Sequence, residues 1–223
     1  MQGTSRAFAA EAIGSALLLC VVVGSGIMAE RLSAGNVALA LLANSIATGA
    51  ALGALITSLG PISGAHFNPV VTAVQMADGR LSARHAPGYV CAQLAGACAG
   101  VVMAHLMFDE PLVTLSSRSH AGMGQMVGEV IATFGLVTLI ACSVSYHPSA
   151  TPLVVAGYIT AAYWFTSSTS FANPAVTLAR ALTDTFAGIR LLDVPGFVAA
   201  QCLGAFLAWR LTRWLVPPAP VSD

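Results

Sequence analysis

The sequence predicts an all-α membrane protein of six transmembrane helices and two re-entrant half-helices arranged as inverted repeats. Composition comes first: 57% of the 223 residues are hydrophobic and only 8% are charged, with a mean hydropathy of +0.80. That is too little polar surface to clothe a soluble globule of this length, so lipid is the expected solvent. A short phrase then occurs twice, as His66-Phe67-Asn68-Pro69-Val70-Val71-Thr72 and as Phe171-Ala172-Asn173-Pro174-Ala175-Val176-Thr177. The sequence around each copy also matches its counterpart, as expected of an internal repeat.

Six apolar segments run from about Ala7 to Ala29, Asn36 to Ser58, Pro87 to Phe108, Gln125 to Tyr146, Pro152 to Thr166 and Pro195 to Val216. Most reach the roughly 20 residues needed to cross a bilayer, and an even number places both termini on one side. The first segment is too long for the apolar stretch of a cleavable signal. It carries Glu11 and is followed by Glu30-Arg31 rather than by small residues, which argues against cleavage. The chain has no lysine, so orientation rests on arginine: Arg6, Arg80, Arg84, Arg210 and Arg213 against Arg31, Arg118, Arg180 and Arg190. This weak bias puts the termini in the cytoplasm and the protein in the inner (plasma) membrane, with multiple passes.

The chain reads as one channel domain, 1–223, with repeat 1 over about 1–108, a polar linker over about 109–124 and repeat 2 over about 125–223. Ala10-Glu11-Ala12-Ile13-Gly14 answers Gly128-Glu129-Val130-Ile131-Ala132, and Ala92-Gln93-Leu94-Ala95-Gly96-Ala97 answers Ala200-Gln201-Cys202-Leu203-Gly204-Ala205. Three spans per half is an odd number, so the halves enter the membrane in opposite senses. Asn is a favoured helix cap and Pro suits the first helical position, so each phrase opens a helix. Those helices run only to about Asp78 and Asp184, too short to cross; they dip in from opposite sides. The irregular backbone before them is tolerated only when buried in protein or lining a wet cavity, so two tips meeting would frame a pore. Gly49 to Gly53 and Gly96 to Gly100 are small-residue pairs suited to close helix contacts.

At the tips, each Asn oxygen caps its own helix and leaves the amide NH2 of Asn68 and Asn173 as donors at the pore centre. The positive ends of both half-helices disfavour cations and protons there. Gly64, Ala65, His66 and Phe67, and Thr169, Ser170, Phe171 and Ala172, line the pore with backbone carbonyls, and His66 faces the cytoplasmic constriction. Glu11 and Glu129 are costly in lipid; their matched placement favours holding the two re-entrant loops in shape over a proton relay. Cys20, Cys91, Cys98, Cys142 and Cys202 lack metal-ligand spacing and read as small hydrophobes at helix contacts. His85, His105, His120 and His147 have no such spacing either, so neither a metal nor a cofactor is expected. Nucleophilic groupings and phosphate-binding glycine patterns are absent, which speaks against an enzyme, and balanced charge speaks against nucleic acid.

The paired Asn-Pro motifs, the six spans, the matched acids and the Ala-Gln positions together resemble the aquaporin and aquaglyceroporin family over nearly the whole chain. The resemblance implies a right-handed bundle, usually a homotetramer with a pore in each protomer, that passes water or small uncharged solutes down their gradients. Family members typically carry Arg just after the second motif, where this chain has Val176. By the family's spacing, Thr48 stands where an aromatic often does and Ser170 takes the loop position. The fifth-helix filter position falls on Ala161 by fixed count or on Trp164 if a gap of about three residues lies in the loop. Arg180, one helical turn beyond Val176, either reaches the outer mouth in place of the missing arginine or turns to the interface or to Asp184.

Such a wide filter suits glycerol-like solutes. The wording from Ser168 to Thr177 resembles a bacterial subgroup associated with arsenic resistance, whose members pass neutral metalloid hydroxides (arsenite) and methylated arsenicals. The expected function is thus a passive channel for these solutes and some water. A water-selective pore, an ion-coupled transporter and a closed-pore junction protein are the alternatives.

Overall fold

The computed structural model describes residues 2–216; Met1 and residues 217–223 of the predicted domain lie outside them. Its helices are α1 (Gln2–Leu32), α2 (Val37–Ser63), α3 (Pro69–Ala77), α4 (Ala86–Phe108), α5 (Met123–Tyr146), α6 (Thr151–Phe165), α7 (Pro174–Arg180) and α8 (Val194–Leu215). Five of them, α1, α2, α4, α5 and α8, are long and apolar enough to cross a membrane. The sixth crossing, α6, has 15 residues, short of the roughly 20 a bilayer asks for. A 3-10 turn at Pro148–Ala150 lengthens it at one end. At the other, Thr166 turns extended and the chain leaves the helix for the second re-entrant loop.

Local chemistry explains where the elements stop. The Asn36 side chain caps α2 by accepting from the Leu39 amide at 3.1 Å. This helix continues beyond the predicted Ser58, through Pro61, to Ser63; the Gly64 amide donates to the Gly60 carbonyl, and its left-handed φ of 87° then turns the chain out of the helix. Only glycine adopts that conformation without strain. The second half-helix stops at Arg180, about one turn before the predicted Asp184.

The two halves repeat one packing scheme. In the first, α1 lies against α2 and α4; in the second, α5 lies against α6 and α8; and α2 against α6 joins the halves. Glycine makes the tightest contacts. A Cβ at Gly96 or Gly100 would collide with the Ala12 or Ala16 carbonyl of α1, and one at Gly204 with the Val130 carbonyl of α5. On the α2–α6 seam, a Cβ at Gly49 would meet the Thr160 side chain. Such close backbone approach is how membrane helices associate when burial of apolar area gives no advantage over lipid. The outer surface, with Leu106, Leu153, Leu192 and Trp214 exposed, is correspondingly apolar.

The face where α1 begins and α8 ends is termed the near face. On the opposite, far face, Arg31 binds the Phe108 carbonyl and Glu110, and Arg118 pairs with Glu30. These contacts tie the end of α1 to the linker.

Replacing Gly100 with Val should push α1 and α4 apart and cost about 1–3 kcal/mol, whereas Gly157→Ala, on a site with nothing within 4 Å, should be neutral or stabilising. Thermal unfolding in detergent distinguishes the two; equal melting temperatures would refute the assigned contact.

Candidate pore

The two re-entrant loops are built alike. Ala65 and Phe67 in the first, and Ser170 and Ala172 in the second, have φ between 47° and 55°, a left-handed region that costs a non-glycine residue on the order of 1–3 kcal/mol when the surroundings enforce it. A buried glutamate enforces each loop. Glu11 accepts from the His66 amide (2.9 Å), the Phe67 amide (2.7 Å), the Ser63 hydroxyl (2.6 Å) and the Gln93 side chain (2.7 Å). Glu129 accepts from the Phe171 and Ala172 amides (both 2.8 Å) and from the Gln201 side chain (2.6 Å). Each glutamine also donates to the threonine of its half-helix, Gln93 to Thr72 and Gln201 to Thr177. Both carboxylates are fully buried behind the loops rather than in the lumen.

The half-helices meet at their amino ends. Asn68 caps α3 through Val70, and Asn173 caps α7 through Ala175 and Val176. Their amide groups also cross between the halves: Asn68 Nδ2 donates to the Ala172 carbonyl at 2.8 Å and Asn173 Nδ2 to the Phe67 carbonyl at 2.7 Å. Each NH2 therefore has one hydrogen committed to the opposite loop and one left for the lumen. The crossed bonds to the opposite loops are partners that the sequence did not disclose.

A cavity of about 450 Å³ runs past these tips. Its walls come from side chains spaced four apart on one face of each helix: Leu18 and Val22 on α1, Thr48, Leu52 and Ile56 on α2, Leu136, Ile140 and Val144 on α5, and Val155, Ile159 and Tyr163 on α6. From the loops and half-helices come pairs at matching repeat positions: Ala65 with Ser170, His66 with Phe171, Val71 with Val176, and Gln75 with Arg180. Gly64, Phe67 and Ala172 also border the lumen, but Thr169 does not.

On the near side His66 Nδ1 lies 3.1 Å from the Thr72 hydroxyl. That hydroxyl also accepts from Gln93, which ties the His66 ring to the clamp behind the first loop. At the matching place in the second half stands Phe171, and the Thr177 hydroxyl turns instead to the Asn173 carbonyl.

The far constriction departs from the predicted filter. Neither Ala161 nor Trp164 reaches the cavity; both are exposed on the outside of α6, and the Trp164 indole donates to Ser45 at 3.1 Å. The lumen face of α6 is one residue before Trp164, so Tyr163 stands there, its hydroxyl 3.2 Å from that of Thr48. The four-residue stripe Val155, Ile159, Tyr163, mirroring Thr48, Leu52, Ile56, was the available sequence signal. Val176 faces the lumen, and the Ser170 hydroxyl is buried there without a protein partner.

Arg180 is 4% exposed, lines the cavity and does not pair with Asp184. Its Nε donates to the Ala187 carbonyl, and its guanidinium lies 3.4 Å from the centre of the Phe171 ring. Asp184 accepts from the Ser117 amide and hydroxyl instead, contacts that hold its carboxyl below the ordinary carboxylate range. His105, assigned no role from sequence, joins the linker to the α7 loop through the Leu112 carbonyl and the Thr183 hydroxyl.

A membrane bundle of two inverted halves, with half-helices meeting at one central cavity, defines a transmembrane pore protein. A family model described as major intrinsic protein matches residues 2–152. The chain is 56% identical over 215 residues to the Aquaglyceroporin AqpS of Rhizobium meliloti, covering 96% of this chain and 92% of that one. It is 31% identical to Aquaporin-2 of Bos taurus, with 96% and 80% covered. The X-ray structure of the aquaglyceroporin from Plasmodium falciparum superposes with a TM-score of 0.75 at 19% identity, covering 96% of this chain and 98% of that one, a likeness of fold. The chain belongs to the major intrinsic protein family; it is a passive channel for small neutral solutes and not an enzyme.

Truncating Glu129 to Ala should strand the Phe171 and Ala172 amides in a dry interior, at about 1–3 kcal/mol for each unmet donor. Glu11→Ala should act alike on His66 and Phe67. Melting temperature and folded yield in detergent are the readouts, and wild-type values for both variants would remove the clamp from this account.

Proposed function

We propose that the pore is of the aquaglyceroporin type, passing glycerol-sized polyols and neutral metalloid hydroxides such as arsenous acid, with their methylated forms, alongside some water. One observation carries this reading: at the far end of the cavity Val176 faces the lumen, and the Arg180 guanidinium is stacked on the Phe171 ring one turn beyond it. The opening is therefore bordered by an apolar arc, Val176, Ile159 and the Phe171 ring, and a polar arc of the Thr48 and Tyr163 hydroxyls and Arg180. A polyol or a metalloid hydroxide presents hydroxyls to one side and carbon or a compact centre to the other, and fits such a two-sided wall. The aquaglyceroporin relative supports the same solute class.

Asn68 and Asn173 supply the donors at the centre of this proposed path, and His66 borders its near constriction. The half-helix amino ends, positive at the centre, exclude cations. With the near face carrying Arg6, Arg80, Arg84, Arg210 and Arg213, the positive-inside bias supports cytoplasmic termini in a plasma membrane. Family membership supports a homotetramer with one pore in each protomer.

Light scattering by proteoliposomes after osmotic steps in glycerol, urea and sorbitol, joined to arsenous acid uptake, tests the reading. Wild type should pass glycerol and arsenous acid without a proton gradient. In Val176→Arg both fluxes should fall about tenfold, a barrier rise of about 1.4 kcal/mol, with water flow retained. Fast water flow with exclusion of every larger solute by the wild type would instead establish a water-selective pore, and uptake driven by a proton gradient a transporter.

A further inference from the structure

The Phe171 ring that carries Arg180 has a second neighbour. His120, in the linker between the halves, meets Phe171 edge-on at 5.5 Å and Phe197 at 5.9 Å between ring centres. Phe171 is fixed from behind, because its amide is held by Glu129. It joins the linker histidine to the one arginine that lines the far part of the cavity.

The surroundings define the state of the His120 ring. Its Nε2 lies 3.1 Å from the Gly188 carbonyl, which can only accept, so Nε2 carries the proton of the neutral ring and Nδ1 is bare. Beside it on α5, the Gln125 carbonyl oxygen is buried without a donor. A second proton on the ring would find that acceptor waiting. From the other packed elements, Asp193 binds the His120 amide at 2.8 Å and is itself paired with Arg190. Arg180 faces the ring from α7, and α8 contributes Phe197 without a charge. Burial, and after it Arg180, pushes the His120 imidazole below its ordinary value of 6.5, against the opposing effects of Gly188, Gln125 and Asp193. The ring is therefore neutral near pH 7 and takes its charge in acid.

We propose that His120 is a positioning residue for Arg180, acting across Phe171, so that acid on the far side moves the guanidinium toward the lumen and narrows the channel. The mechanism is electrostatic. A neutral His120 leaves the Phe171 ring to one cation; a protonated one sets a second positive charge within reach of the first, in a setting that water screens poorly. The Phe171 backbone is clamped, and Arg180 is held by one carbonyl and a ring face, so the arginine is the part free to yield. Its open direction is the cavity it already borders.

The test rests on the solute reading for its flux arm and is independent of it for its second arm. Glycerol permeability of wild-type proteoliposomes should fall about threefold or more between roughly pH 7.5 and pH 5, with a midpoint below about 6.5. His120→Gln and His120→Phe should be flat across that range, and Arg180→Ala should lose the dependence while His120 still titrates. A wild type without acid inhibition, or a His120 variant that keeps it, overturns the proposal. In the second arm, the Nε–H resonance of Arg180 in 15N-arginine-labelled protein should shift with the same midpoint as the His120 ring carbons. A stationary resonance through that titration also overturns it, whatever solute crosses. Failure of glycerol to cross at pH 7.5 with a moving resonance sinks the wide-filter reading and upholds the coupling.

Discussion

Irregular backbone at membrane depth survives only if its amides and carbonyls find partners inside the protein. Here that requirement is met by two buried glutamates and two crossed asparagines, and most of the architecture can be traced to it. Glu11 and Glu129 hold the loops in left-handed conformations that alanine, phenylalanine and serine do not choose unaided. Those conformations bring Asn68 and Asn173 close enough to donate to the opposite loops. The tips are thus locked to each other by the same carbonyls that the strained turns expose, and the lumen forms beside the joint.

Symmetry supplies the frame, and its breaches make the two ends of the lumen different. Asn68 and Asn173, Val71 and Val176, and the two glutamine–threonine pairs are near equivalents. His66 and Phe171 are not, and neither are Gln75 and Arg180. On the near side a histidine borders the lumen; on the far side the aromatic ring at that position serves as a seat for an arginine. The difference propagates one step further, since the Thr72 hydroxyl lies against His66 Nδ1 while Thr177 gives its proton to the Asn173 carbonyl.

Much of this was legible in the sequence because the repeat writes each functional residue twice. The two motifs, the matched acids and the Ala-Gln pairs lead to the fold, to the central asparagines and to glutamates behind the loops. What failed was local and angular. Ala161 and Trp164 came from counting along the fifth span by the family's spacing, and a shift of one residue on a helix turns a side chain by about 100°, enough to swap the lumen for the outer face. The commitment of one hydrogen of each asparagine to the opposite loop was hidden for another reason: it joins residues more than a hundred positions apart. His105 and His120 carried no spacing signal because their partners are backbone carbonyls and single hydroxyls, which any sequence supplies.

The position of Arg180 shows why residue identity alone does not define a filter. An arginine directly after the second motif would stand beside the asparagine cap; moved one turn along α7, it approaches the mouth from deeper in the far-side loops. There the Ala187 carbonyl and the Phe171 ring offer it a seat at the edge of the cavity. A cation buried in such a place needs compensation, since neither an aromatic face nor one carbonyl equals its lost hydration. The hydroxyls of Tyr163 and Thr48 border the same lumen, where water in the pore can return part of the hydration that burial removes. In the proposed filter Val176 and Arg180 thus act together, one as an apolar wall and the other as a positive field one turn beyond it.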